Sequence, residues 1–142
     1  MTTTALARQA PASLGPTLLR ISLGLMWLTH GLVLKLMTFG IAGLSGWLTA
    51  RGLPAALAWP LVLAEIGGGL LILLGVHGRW VSLALLPILV GATAIHAGNG
   101  WVFSAPNGGW EYSAFWTVML VVQALLGAGA FAANPVRPAL AL

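Results

Sequence analysis

The chain has no cysteine and only two acidic residues among 142. Without cysteine it can form no disulfide, thiolate metal site or iron–sulfur cluster, and no thiol catalysis. The redox compartment is left unspecified. Charged residues make up 6% of the chain, against about 25% in a soluble domain. So few charges cannot build a water-facing surface, whereas 59% of the residues are hydrophobic. Strand-type alternation is absent. The reading is an all-α integral membrane protein of one domain, a four-helix bundle in contact with the lipid bilayer. Six basic residues give a formal charge of +4. They are scattered singly, without an aromatic-interleaved patch, so they read as topology signals and not as a nucleic-acid surface.

A hydrocarbon core about 30 Å thick needs about 20 apolar residues in helix. Four stretches supply them, at about 17–39, 54–75, 79–98 and 112–132, within a transmembrane domain of residues 17–133. Residues 1–16 read as a loose tail and 134–142 as a C-terminal tail. The first span is too long for the h-region of a signal peptide, and no A-x-A site follows it. The linker GIAGLSGWLTARGLP, Gly40 to Pro54, is too short and glycine-rich to cross. It reads as interfacial, with Trp47 at headgroup level. Pro60 falls in the first turn of span two, whereas Pro87 lies mid-span and should kink its helix. The loop NGWVFSAPNGGW, Asn99 to Trp110, is dense in turn signals.

Arg8, Arg20, Arg79 and Arg137 fall on one side of this arrangement, with Lys35 and Arg51 near the other. That bias places both termini in the cytoplasm, Arg20 and Arg79 as cytoplasmic anchors, and the third loop outside. The seven tryptophans read mostly as interfacial belt residues. Gly67–Gly69, with Ala64, reads as a small-residue packing face. Thr93, Thr117 and Gln123 read as interhelical hydrogen-bonding residues.

The remaining ionisable groups converge by depth. His30 and Lys35 on span one, Glu65 on span two, His96 near the end of span three, and Glu111 and Tyr112 opening span four all fall in the outer half. A charge at the bilayer centre costs about 2.5–3.5 kcal/mol even on a lenient scale. Glu65 must therefore be neutral, paired or beside water, and Lys35 and His30 are its nearest candidate partners. On an α-helix His30 and Lys35 stand roughly 140° apart, so they flank a cavity without aiming at one point. An imidazole changes charge near neutral pH and a desolvated carboxyl holds its proton more readily. His30 and Glu65 are thus the candidate catalytic pair. Lys35, His96, Glu111 and Tyr112 are the candidate ligand-binding residues. A bis-histidine haem is disfavoured because His96 sits some 7–10 Å nearer the surface than His30. A zinc, iron or manganese site from His30, Glu65, His96 and Glu111 is an alternative that no spacing motif supports.

These pieces also carry a family likeness. RISLGLMWLTHGLVLKL, FGIAGLSGWLTARGLP, LAEIGGGLLILLGVHGRW, the AIH closing span three and GGWEYS at the start of span four together resemble the DoxX family of small four-helix membrane proteins. The likeness runs from about Arg20 to Gly129. One departure is GAGAFAANP, which lacks the acid that often ends family members. The resemblance implies an inner-membrane subunit of a quinone-linked oxidoreductase system in a bacterial cytoplasmic membrane. A quinone-like molecule and a protein partner subunit are then implied partners. The chain shows no flavin or nicotinamide fingerprint, so electrons would come from a bound cofactor or a partner. Whether the chain is itself an enzyme is left open. A non-enzymatic scaffold or anchor is the alternative. A small-molecule or proton pathway ranks lower, because span two reads GGLLILLG in its inner half.

Overall fold

The computed structural model describes residues 3–133, with side chains from Leu14 onward. The C-terminal tail, with Arg137, and the Arg8 side chain lie outside the described residues. Helix α1 (Thr3–Leu28) runs without a break into a π-helical stretch (Thr29–Phe39), and α2 (Gly40–Thr49) follows. A short 3₁₀ turn (Ala55–Leu57) leads into α3 (Ala58–Leu74). Helix α4 (Gly78–His96) and α5 (Glu111–Leu126) complete the chain of helices. Helix α1 thus begins inside the segment expected as a loose tail.

The stretch Leu14–Thr49, Ala55–Leu74 and Gly78–Asn99 are long and apolar enough to cross a bilayer, and α5 is a shorter apolar helix. Contacts run from α1 to α3, α3 to α4, α4 to α5 and α5 back to α1. The protein is a four-helix membrane bundle. Helix α2 stands beside the ring and packs on the π-helical stretch and the start of α3. Leu44 and Leu48 of α2 share a small second core with Ala58 and Val62 of α3.

Close approach fixes how α1 and α3 run past one another. A β-carbon at Gly24 would stand 2.8 Å from the Leu73 β-carbon, and one at Gly69 would stand 2.7 Å from the Trp27 β-carbon. The expected small-residue face is therefore split between two neighbours. Gly69 admits α1, Gly68 admits Leu85 of α4, and Gly67 faces open space. Without a hydrophobic drive between helices in lipid, such backbone-close packing supplies the association.

Helix α4 holds Pro87 in its interior, as the span predicts. One boundary differs from expectation for a local reason. Helix α5 stops at Leu126, six residues before the expected end of span four, because Gly127 takes φ 81° and ψ −170°, a conformation open essentially to glycine alone. The chain then folds across the base of the bundle. Thr17 Oγ1 accepts from the Ala130 amide at 2.7 Å, and the Ala133 amide donates to the Leu74 carbonyl at 2.9 Å.

The main core is one layer at mid-depth: Leu23, Trp27, Ile72, Leu85, Leu89, Trp116 and Leu120. On α1, α4 and α5 this layer lies between an outer and an inner set of polar residues, whereas α3 carries Glu65 on its outer side alone.

Candidate functional site

The outer polar residues divide into three groups. The first is an ion pair, in which Lys35 Nζ donates to Glu65 Oε1. The Glu65 side chain is 2% exposed and that of Lys35 is 25% exposed. Lys35 therefore reaches from the membrane edge to a carboxylate that cannot leave the protein. Glu65 Oε2 is buried without a hydrogen-bond partner. Gly31 makes the approach possible, since a β-carbon there would meet the Glu65 β-carbon at 2.8 Å and the Ile66 amide nitrogen at 3.1 Å.

The π-helical stretch changes the phase of this segment. Its bonds close from residue i to i+5, and the Thr38 hydroxyl donates to the Val33 carbonyl, five residues back, at 2.8 Å. Residues five apart then stack one turn above another, as i and i+4 do in an α-helix. The expected separation of 140° between His30 and Lys35 does not hold here; the two share one side of the helix.

The second group surrounds His30. Its Nδ1 lies 3.0 Å from the Met26 carbonyl oxygen. A carbonyl only accepts, so Nδ1 carries the hydrogen and a neutral His30 presents Nε2 as an acceptor. Two α5 rings flank the imidazole: Trp116 with centroids 4.8 Å apart, and Tyr112, stacked at 6.1 Å. Trp27 packs on Trp116 at 4.7 Å. Trp27 and Trp116 are 1% and 4% exposed, so they are core residues and not belt residues. The sequence carried a signal for this, since Trp27 lies three residues before His30 and Trp116 four after Tyr112, each on one helix face.

The third group holds the outer loop. His96 Nδ1 donates to the Gly108 carbonyl at 3.0 Å, and Asn99 Nδ2 donates to the same carbonyl at 2.9 Å and to that of Asn107 at 3.1 Å. Glu111 Oε1 accepts from the Phe103 amide at 2.9 Å. Trp101 packs edge-on against Trp110. His96 and Glu111 thus clasp the loop at both ends. Among the described residues no three His, Asp or Glu side chains gather as a metal site, so the alternative of a His30, Glu65, His96 and Glu111 centre has no geometry behind it.

A surface groove of about 540 Å³ runs along α5 under this loop, lined by Trp101, Phe103, Glu111, Tyr112, Ala114, Phe115 and Val118. Its walls are almost wholly apolar. Tyr112 belongs both to this groove and to the His30 stack. His30, Lys35, Glu65 and His96 do not line it, and His30 meets it only through Tyr112. A second groove, about 470 Å³, lies between α4 and α5 and is lined by Val90, Thr93, Ala94, Ala97, Trp110, Ala114 and Thr117.

The family now follows from comparison. A family model named DoxX matches residues 15–98, which is more than half of the chain. The chain belongs to the DoxX family. Curated proteins and solved structures give no significant match. The matched region carries His30, Lys35, Glu65 and His96, while Glu111, Tyr112 and the groove lie beyond it.

The three hydroxyl and amide residues expected to bond between helices do not. Thr93 donates to Leu89, Thr117 to Ser113 and Gln123 to Gly127, each to a carbonyl four residues away on its own segment. Short polar side chains in lipid find their own backbone first. Arg20 is not a surface anchor either. It is 3% exposed and donates to the carbonyls of Ala130 and Phe131.

Proposed function

We propose that this DoxX protein is the membrane subunit of a quinone-linked redox system in a bacterial cytoplasmic membrane, with both termini cytoplasmic. One observation supports this above others: Tyr112 joins an apolar, lipid-side groove to the His30 imidazole. A quinone needs an apolar bed for ring and tail, with a donor and an acceptor for its ring oxygens. The groove supplies the bed, the Tyr112 hydroxyl the donor and His30 Nε2 the acceptor. The electrons come from a partner subunit. Lys35 and Glu65 set the position of the helix that carries His30, while His96 and Glu111 hold the loop that roofs the groove.

The test is photolabelling of the reconstituted protein with a photoreactive quinone. Label is expected on the peptide carrying Tyr112 to Val118, and it should fall in Val118→Trp, which fills the groove, and in His30→Ala. Labelling indifferent to both variants sinks the reading.

A scaffold or anchor role is the second reading, and the Lys35–Glu65 pair favours it. The pair is closed, with Glu65 away from the groove, as a device that only fixes helix register would be. Glu65→Gln separates the two. Loss of a partner subunit from the purified complex supports the scaffold; an intact complex without quinone turnover supports the redox role.

A further inference from the structure

The inner end of the bundle holds two arginines that no acidic side chain answers. Arg20 is 3% exposed, and its Nε and Nη1 are buried without an acceptor. Arg79 donates through Nε to the Ala124 carbonyl at 3.0 Å, while its Nη2 is buried and unpartnered. Both side chains hold the same length of chain, the end of α5 and the segment that crosses the base. Arg20 reaches Ala130 and Phe131; Arg79 reaches Ala124. Gly75, in the turn before α4, lies against Arg20 and Ala132. The chain has two acidic residues, and both are engaged in the outer half, Glu65 by Lys35 and Glu111 by the Phe103 amide.

Carbonyl oxygens satisfy some guanidinium hydrogens but bring no net charge, and a buried cation without a counter-ion is strongly penalised. The N-terminus of α4 adds to the positive field. Its cap residue, His77, makes no side-chain capping bond, so no side chain of the cap offsets the positive end of the helix dipole. Ten residues separate Arg20 from His30, about 15 Å of helix rise. The arginine pair therefore lies toward the opposite headgroup layer from the outer site.

We propose that the arginine pair at the base of the bundle is a binding site for a phosphate anion, carried by the headgroup of an anionic phospholipid. Arg79, only partly buried, makes the contact, and the buried Arg20, which holds the same crossing segment, adds to the charge. The headgroup bridges α1 and α4 and holds the crossing segment in place. Basic pockets between helices at this depth suit such headgroups, and a phosphate oxygen meets guanidinium donors in charge-assisted bonds.

The experiment compares the full-length protein in nanodiscs of phosphatidylcholine alone, of phosphatidylcholine with phosphatidylglycerol, and of phosphatidylcholine with added inorganic phosphate. Unfolding temperature is read in each, and retained lipid is counted by native mass spectrometry. Phosphatidylglycerol is expected to raise the unfolding temperature of the wild type and to be retained. In Arg79→Gln retention should fall about tenfold, the loss of one charge-assisted contact. Arg51→Gln, at the other end of the bundle, should behave as wild type. If inorganic phosphate alone reproduces the shift, the anion site stands and its source is the free ion. Equal shifts and equal retention in wild type and Arg79→Gln overturn the proposal. Arg20→Gln is the stricter variant, and Arg79→Gln decides the matter if Arg20→Gln does not fold.

Discussion

Gly31 and Glu65 meet backbone to side chain between the π-helical stretch and α3, and a β-carbon on Gly31 would sit 2.8 Å from that of Glu65. The adjacent Ile66 amide, at 3.1 Å, is backbone and cannot swing aside. Gly31→Ala should therefore force the helices apart and cost about 1–3 kcal/mol, the range for overpacking. Gly67→Ala meets nothing within 4 Å and should gain about 0.5–1 kcal/mol from helix propensity. Unfolding in mixed micelles measures both. Equal effects at the two positions would remove the packing argument.

The ion pair should fail asymmetrically. Glu65→Gln leaves Lys35 free to extend along its apolar stem to the headgroups. Lys35→Met leaves a carboxylate sealed in the protein. Breaking a fully buried pair costs about 3–5 kcal/mol, and a quarter of the Lys35 side chain is exposed, so Lys35→Met should fall toward the lower end. Glu65→Gln should cost less than Lys35→Met in the same assay, and the reverse order would contradict the snorkelling argument.

Trp27 and Trp116 have ring centroids 4.7 Å apart with planes at 48°. Two indoles so close and so inclined should couple excitonically. In a Trp101→Phe background, which removes the coupling of Trp101 with Trp110, a far-ultraviolet circular dichroism couplet is expected and should vanish equally when Trp27→Phe or Trp116→Phe is added. A couplet that survives either change would place the rings elsewhere.

At the end of α5, Gly127→Ala puts a β-carbon into a backbone conformation that costs about 1–3 kcal/mol to hold. The crossing segment should then loosen from Thr17 and Arg20. Amide hydrogen exchange at Ala130 and Ala133, which donate to Thr17 and Leu74, is expected to quicken while exchange in mid-α3 stays slow. Unchanged protection would mean that the segment is held by something other than this turn.

Much of this architecture could be read from hydropathy, because lipid demands long apolar helices and permits little else. The pairing of Lys35 with Glu65 is legible only as one of two choices, since Lys35 and His30 both stand near Glu65 in depth, and the structure selects Lys35. Four features were not legible. Nothing in THGLVLKLMTF marks a π-helical stretch, and the packing of Gly31 on α3 is a tertiary fact. A composition window sees how apolar a span is but not which face turns inward, so it reads the tryptophans mostly as belt residues and Arg20 as an anchor, whereas Trp27, Trp116 and Arg20 are buried. The end of α5 turns on the backbone angles of Gly127, which span length cannot supply.

The mid-depth layer of Leu23, Trp27, Ile72, Leu85, Leu89, Trp116 and Leu120 has an electrical consequence. It sets apolar side chains from all four helices between His30, Lys35 and Glu65 on one side and Arg20 and Arg79 on the other. A proton accepted at His30 meets this apolar layer before the arginines, so its nearer exchange is with the face from which it came. Chemistry at the outer cluster would then move no charge through the bundle and would draw nothing from the membrane potential.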